Sequence, residues 1–260
     1  MAIFRKNVTN SKRRTSIEKN LRKEEEMISE FPDNPECHIE KASNLIEMSL
    51  IEEFPIDLQD ILQLIRGTPS NFKDFDYKNS FLSKAIAEFD TAINLKRGEI
   101  KYHIAKATSL EKIIFAVRMI NQASVDTYGS CIISSDKEIE VIPNYVYNGI
   151  EQEILKEFDI AVELDNSERE KYVYLYLKIS FLSGTKGHGA AMNEIERCIE
   201  LYPKISDLHY LKVMELIDMI KKPTNELGRG ANEIYKECLE ECEKAITIEP
   251  SKPAYHLLKG

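Results

Sequence analysis

The sequence predicts an all-α fold built as a superhelical array of helix pairs, and three observations support this. Segments with apolar residues at spacings of three and four recur along the chain. Proline or glycine ends most of these segments. Short residue patterns also return in the same order from one segment to the next. Such an internal repeat indicates an α-solenoid, in which each repeat buries its apolar face on its neighbours.

The stretch Tyr172–Ile205 contains one whole repeat. Its second helix places Ala191 and Ile195 on one face, because residues three or four apart lie together on a helix. Pro203 ends that helix, since proline cannot continue it. The glycine-rich stretch Gly184–Gly189 predicts a flexible turn between the two helices.

The elements follow in order along the chain. Residues 1–15 are polar and basic and predict a flexible tail, and residues 16–31 predict a helix that ends at Pro32. A first helix of a repeat then begins near each of residues 35, 100, 172, 206 and 253, so the array occupies residues 16–260. Four histidines occupy the same position in these helices: His38, His103, His209 and His256. We interpret this place as a packing position that tolerates a flat ring, and a lysine follows it by three residues.

The second helices also agree with one another. Their aligned core places hold an aromatic or apolar residue, then a small residue three positions later. The first place is filled by Phe89, Phe158, Ile195 and Cys242, and the second by Ala92, Ala161, Cys198 and Ala245. Small residues let helices approach closely, while the larger ones fill the space between them.

These patterns resemble the tetratricopeptide repeat family. The repeat of that family is about 34 residues long and has characteristic residue types at certain positions. Counted from Tyr172, those positions hold Ile179, Leu182, Ala191, Cys198 and Pro203. The resemblance covers about two thirds of the chain and implies an α-α superhelix. Insertions of about residues 50–79, 115–147 and 219–231 interrupt the regular repeat length. The first predicts an amphipathic helix at 55–65, and the second a small β-hairpin formed by residues 131–133 and 139–142.

No pattern of catalytic or metal-binding residues stands out. Cys198, Cys238 and Cys242, with His209, could form a metal site, but small core residues explain them better because the repeat places them in the core. The glycine run around His188 lacks the preceding strand and following lysine of a phosphate-binding loop. We therefore expect no metal, no cofactor and no catalysis.

Composition limits the remaining classes. The net charge of -9 argues against a general nucleic-acid-binding surface. No apolar run reaches the roughly 20 residues that cross a bilayer, and an odd number of cysteines suggests a reducing compartment, so we expect the cytoplasm. The last predicted helix stops at Gly260 after eight residues. A truncated reading frame, a fragment, or a repeat completed by another chain would explain this, and self-association through this unfinished repeat is a further expectation.

The resemblance implies that the first helices line a concave groove that binds a partner. Its predicted lining is apolar with hydroxyls, and it comprises Ile39, Ser43, Ile104, Thr108, Tyr176, Ser180, Tyr210, Met214 and Leu257. Coverage of some of these residues by the insertions is the alternative. We expect a protein-interaction scaffold or adaptor that binds an apolar or amphipathic protein segment, with neither membrane nor nucleic acid as its partner. The alternative function is a regulatory or assembly subunit of a larger enzyme or nucleic-acid complex.

Overall fold

The computed structural model describes residues 2–54, 79–128, 144–221 and 230–259, which form ten α-helices and no strand. The helices are α1 (Ala2–Glu30), α2 (Pro35–Glu52), α3 (Phe81–Leu95), α4 (Ile100–Tyr128), α5 (Asn144–Leu164), α6 (Glu168–Lys186), α7 (His188–Leu201), α8 (Ser206–Lys221), α9 (Ala231–Ile248) and α10 (Pro253–Lys259). The prediction of an all-helical chain is therefore confirmed for these residues. The helices group into two compact units, residues 1–160 and 161–260.

In the first compact unit, α2 packs against α1, α3 and α4, and α3 also packs against α4. Fully buried side chains form its core, among them Ile46, Leu82, Phe89, Leu110, Ile113 and Phe158. The helix α1 begins at Ala2 and not at Ser16, so it includes residues predicted as a tail. Within it, Arg13 and Arg14 form ion pairs with Glu47 and Glu52 of α2.

The end of α2 is tied to the start of α3 by one carboxylate. Glu53 accepts hydrogen bonds from the backbone N–H groups of Phe81 and Leu82, at 2.5 and 3.3 Å. These are N–H groups of the first turn of α3, which have no partner within the helix. Ser80 provides a second cap by accepting from the N–H of Ser83 at 2.9 Å. The two helices are thus joined in space across a long interval of sequence.

In the second compact unit, each helix packs against the next one from α6 to α10, and α6 also contacts α8. Its apolar core lies between α7, α8 and α9 and contains Met192, Val213, Leu216, Met219, Ile234, Cys238 and Cys242. The cysteines are therefore core residues, as the packing interpretation predicts. None of the described helices is both long and apolar enough to cross a bilayer.

The glycine-rich turn is much shorter than predicted. The helix α6 continues through Gly184 to Lys186, and α7 begins at His188, so only Gly187 separates them. Gly187 has φ 87° and ψ 174°, a conformation open to glycine and strained for other residues. A single residue of this conformation reverses the chain, and no flexible loop is needed.

The insertions differ in what the structure describes. The predicted helix at 55–65 and the predicted hairpin at 131–142 lie outside the described residues. The helix α4 extends through Tyr128, so part of the second predicted insertion lengthens a first helix. At the edges of the third predicted insertion, α8 runs to Lys221 and α9 starts at Ala231. Residues 222–229 lie outside the described residues.

We predict that Gly187→Ala lowers the free energy of unfolding by about 1–3 kcal/mol, because alanine is strained at this φ and ψ. Gly184→Ala is the matched control: it lies within α6, a Cβ there meets no atom within 4 Å, and it should stabilise by about 0.5–1 kcal/mol. Urea unfolding of both variants measures the difference. Equal effects at the two positions would contradict this account of the turn.

Candidate binding surface

In three first helices, α2, α4 and α8, a histidine and a lysine contact one glutamate on the following second helix. We call this arrangement the His–Lys–Glu contact. In the first compact unit, His38 and Lys41 lie 2.6 and 2.8 Å from the carboxylate of Glu88. His103 and Lys106 likewise lie 2.5 and 2.8 Å from Glu157. Residues three apart share a helix face, so one carboxylate reaches both side chains.

The second compact unit contains the same contact. His209 lies 2.6 Å and Lys212 3.6 Å from the carboxylate of Glu241. In the preceding helix pair, leucine takes the place of the histidine, and Lys178 donates to Glu194 at 2.8 Å. The contact is thus a repeated feature of the helix pairs. The buried histidines are thus more than flat rings at a packing position, because each of these three rings also lies against a carboxylate.

The same lysines also contact an acidic residue on the helix that precedes their own. Lys106 lies 2.6 Å from Asp90 of α3, and Lys212 lies 3.1 Å from Glu196 of α7. In α2, the corresponding Lys41 is 3.9 Å from Glu25 of α1. Each of these lysines therefore joins three helices. The helix α1 contacts α2 in the way that α3 contacts α4 and α7 contacts α8, so it acts as the second helix that precedes α2.

These contacts hold ionised groups in the interior. Burial would raise the pKa of Glu157, but hydrogen bonds from His103 and Lys106 outweigh it and lower the pKa to about 2. Burial likewise opposes the charge of Lys106, yet its hydrogen bonds to Asp90, Glu153 and Glu157 raise its pKa above the ordinary value. The pKa of Glu241 falls to about 2 in the same way, against the effect of burial, through hydrogen bonds from His209 and Lys244. Such paired charges make the helix pairing specific in geometry.

His38 shows most clearly how a ring is fixed. Its Nε2 donates to the carbonyl oxygen of Pro32 at 3.0 Å, and its Nδ1 faces the carboxylate of Glu88. The two oxygen atoms lie on different edges of the ring, so the imidazole is held on both sides. The exposed His256 makes the equivalent 2.9 Å contact with the carbonyl of Pro250. The histidine thus also ties a first helix to the proline turn before it.

The glutamates of the contact were missed by sequence reasoning, although a signal for them exists. Each immediately precedes the aligned core residue of a second helix, so Glu88, Glu157, Glu194 and Glu241 stand in one column. Apolar periodicity detects the core residue and ignores its polar neighbour. Aligning the second helices on this core residue puts an acidic residue in the same column each time, and that column is the signal for all four.

A second recurring contact joins the starts of successive first helices. The hydroxyl of Tyr102 donates to Glu36 at 2.7 Å, and Lys101 donates to the same oxygen at 2.8 Å. In the second compact unit, the hydroxyl of Tyr255 donates to Asp207 at 2.7 Å and Lys252 does so at 2.6 Å. Hydrogen bonds from Lys101 and Tyr102 lower the pKa of Glu36 to about 2. This second set of contacts fixes the spacing of the first helices.

In the first compact unit, the four predicted groove residues are partly exposed. Ile39 and Ser43 lie one turn apart on α2, and Ile104 and Thr108 have the same spacing on α4. The hydroxyl of Ser43 donates to the carbonyl of Ile39, and that of Thr108 to the carbonyl of Ile104, both at 2.8 Å. The hydroxyls are therefore engaged with their own helix, and all four side chains are partly exposed.

In the second compact unit, the predicted residues differ in exposure. Tyr176 is 45% exposed on α6, Ser180 is exposed one turn later, and Leu257 on α10 is 81% exposed. Tyr210 and Met214 on α8 are half-buried, and the ring of Tyr210 packs on Tyr255 at 5.7 Å. Tyr176 and Leu257 are thus the most accessible apolar side chains of this predicted surface.

One acidic cluster has the spacing of a metal site. Asp90, Glu153 and Glu157 bring carboxylate oxygens within 4.8 Å of one another. The ammonium of Lys106 contacts all three, and its side chain is fully buried among them. Because a fixed cation already neutralises these oxygens, the cluster is explained as an ion pair.

Neither the cysteines nor His188 forms a chemical site in the described residues. Burial raises the pKa of the Cys198 thiol to about 12, so its reactive thiolate form is suppressed. His188 is buried, and its Nδ1 lies 2.5 Å from Glu215, which also accepts from Ser183 at 2.7 Å. The serine hydroxyl is thus bound to the carboxylate, and the ring is covered.

A cavity of about 480 Å³ lies at the starts of α6, α8 and α10. Its wall has both signs of charge, since Arg169 and Lys204 line it together with Glu168 and Glu249. Lys252, another wall residue, is paired with Asp207 at 2.6 Å. Such a mixture of charges does not select one class of ligand.

The chain matches no protein-family model, and a search of curated proteins finds no significantly similar sequence.

We predict that Lys106→Met lowers the free energy of unfolding by about 3 kcal/mol or more, because it leaves the buried Glu157 and its neighbours without their cation. Lys112→Met is the matched control on the same helix. Lys112 is exposed and pairs with Glu47 at 3.1 Å, so its loss should change stability by about 0–1 kcal/mol. Denaturant unfolding at neutral pH distinguishes the two, and a small effect at both sites would contradict a structural role for the contact.

We also predict a specific pH dependence for Glu157. Its pKa falls from 4.5 to about 2 on folding, so its stabilising contribution is present above about pH 4.5 and is lost as the pH falls towards 2. Glu157→Gln removes this titration. The stability difference between wild type and this variant should therefore narrow by about 2 kcal/mol between pH 6 and pH 3. A constant difference over this range, measured by urea unfolding, would argue against an ionised Glu157 in the folded chain.

Proposed function

We propose that this chain is a protein-interaction scaffold of tetratricopeptide-like architecture, which binds an apolar or amphipathic segment of a partner protein on its first helices. The observation that carries the proposal is a division between helix faces. In α2, α4 and α8, the face towards the second helix holds the His–Lys–Glu contact, while other faces of the first helices leave apolar side chains accessible. Repeat architectures use accessible faces of this kind for binding.

The accessibility of the ionisable groups favours binding over catalysis. His38, His103 and His209 are 4–7% exposed, and each is engaged by a carboxylate. A general acid or base must reach its substrate within hydrogen-bond distance, which a covered ring does not do. The histidines, lysines and glutamates that recur in the sequence are explained by helix pairing.

The accessible residues indicate the chemistry of the partner. Tyr176 combines a large apolar area with a hydroxyl, and tyrosine is among the residues that contribute most at protein interfaces. Ile39 and Ile104 have partly exposed aliphatic side chains, and the nearby hydroxyls of Ser43 and Thr108 donate to their own helix backbone. An amphipathic helix or an extended apolar segment would bury these side chains.

The contacts of the N-terminal basic residues disfavour nucleic acid as the partner. Arg13 and Arg14 pair with Glu47 and Glu52, so part of their charge is neutralised within the chain. Together with a net charge of -9, this leaves little attraction for phosphates. The scaffold function is therefore preferred to the role of a subunit in a nucleic-acid complex.

We predict that Tyr176→Ala weakens peptide binding about tenfold or more, since it removes an exposed aromatic side chain from the binding surface. The probes are peptides selected by the full-length chain from a phage-displayed library of random 12-residue sequences. Tyr235→Ala is the matched control, because Tyr235 is 54% exposed but lies on the second helix α9. Fluorescence anisotropy with the selected peptides gives both affinities.

Two results would contradict the proposal. Failure to select any peptide with the full-length chain would argue against a binding surface for segments of this kind. Peptides that lose affinity with Tyr235→Ala but not with Tyr176→Ala would place binding on the second helices.

A further inference from the structure

The accessible face of α4 carries an apolar strip with one carboxylate in it. Ile104, Thr108, Glu111, Phe115 and Met119 follow one another at spacings of three and four, so they lie along the same side of the helix. Phe115 is 57% exposed and Met119 is 41% exposed, although both are large apolar residues. The opposite side of α4 holds fully buried residues of the first compact unit, such as Leu110 and Ile113. The strip is therefore on the accessible face of the helix.

Glu111 is the residue in this strip that lacks a partner among the described residues. The positions three and four residues away hold Ala107, Thr108, Ile114 and Phe115, none of which is basic, so no ion pair can form within the helix. The nearby lysines of α4 are engaged elsewhere: Lys101 with Glu36, Lys106 with Glu157, and Lys112 with Glu47. Among the described residues, no ion pair of this carboxyl is seen, and the positions one turn away on α4 are uncharged.

Partial burial without a partner destabilises the charged form of Glu111. Desolvation alone raises the pKa of its carboxyl from 4.5 to about 7. Glu157, on α5, shifts in the opposite direction because it has two cationic partners. A partly desolvated carboxylate gains most from a cation that comes from outside the chain, since the attraction is stronger where water is partly excluded.

We propose that the bound partner segment places a lysine or arginine on Glu111 and an apolar side chain against Phe115 and Met119. The proposal rests on the scaffold function above and names the chemistry of its partner. Arginine fits especially well, because its guanidinium both pairs with a carboxylate and stacks on an aromatic ring. A net charge of -9 on the whole chain favours the approach of a basic segment. It also disfavours a second copy of this chain as the occupant.

The test uses the full-length chain and the same phage-displayed library of random 12-residue peptides. We expect the selected peptides to contain a lysine or arginine next to large apolar residues. Glu111→Gln should weaken their binding about tenfold or more and should make it less sensitive to salt. Glu99→Gln is the matched control, because it removes the same charge from an exposed residue directly before α4.

A charge exchange makes the test specific. Glu111→Lys should abolish binding of a selected basic peptide, and replacing the basic residue of that peptide by glutamate should restore binding to this variant. Restoration would not occur if Glu111 acted only through the fold. Peptides enriched in acidic residues, or basic peptides with unchanged affinity for Glu111→Gln, would overturn the proposal.

The outcomes also separate this proposal from the scaffold function. Apolar peptides without a basic residue that lose affinity with Phe115→Ala or with Tyr176→Ala would support the scaffold function and overturn the role of Glu111. Absence of any selected peptide would contradict both. Folding is checked at pH 8, where Glu111→Gln should unfold at the same urea concentration as wild type or a higher one, because an unpaired charge is removed. A lower midpoint would show that Glu111 stabilises the fold and would overturn the proposal.

Discussion

The structure depends on the neutralisation of buried lysines by glutamates of neighbouring helices. Lys106 is fully buried and would be strongly destabilising without Asp90, Glu153 and Glu157 around it. An apolar seam between two helices tolerates small shifts along its length, but a charge between three carboxylates does not. The contact therefore sets which helices pair and in which register. Its repetition at Lys41 and Lys212 indicates that the same constraint acts in both compact units.

Sequence reasoning could find half of this contact. The His-x-x-Lys pattern lies within one helix, so its spacing is visible in a single segment. The glutamates lie on a different helix, about 30 to 55 residues away in sequence, and the distance changes with each insertion. Glu53 illustrates the same limit: nothing in the sequence distinguishes it from an ordinary surface residue, yet it caps α3, which begins at Phe81. Contacts across insertions of variable length carry no fixed spacing, which is why the helices were predicted and the polar links between them were not.

The turn at Gly187 shows a different limit of sequence reasoning. Three glycines in six residues are typical of a flexible loop, but two of them lie within helices and only Gly187 needs the freedom of glycine. Composition records how many glycines are present and not which of them adopts a positive φ. The predicted groove residues, in contrast, are those that the resemblance to the tetratricopeptide repeat family implies, and they are partly or largely exposed in each compact unit.

The two glutamates of the α4–α5 region show how function and stability separate in this chain. Glu157 lies on the paired face, has two cations and keeps its charge at low pH, with a pKa of about 2. Glu111 lies on the accessible face of α4, has no ion pair among the described residues, and burial raises its pKa to about 7. Selection for stability alone would favour an apolar or a paired residue at this position, because an unpaired and partly buried carboxylate opposes folding. A charge that departs from the pairing seen at Glu157 is the kind that the proposed partner could use.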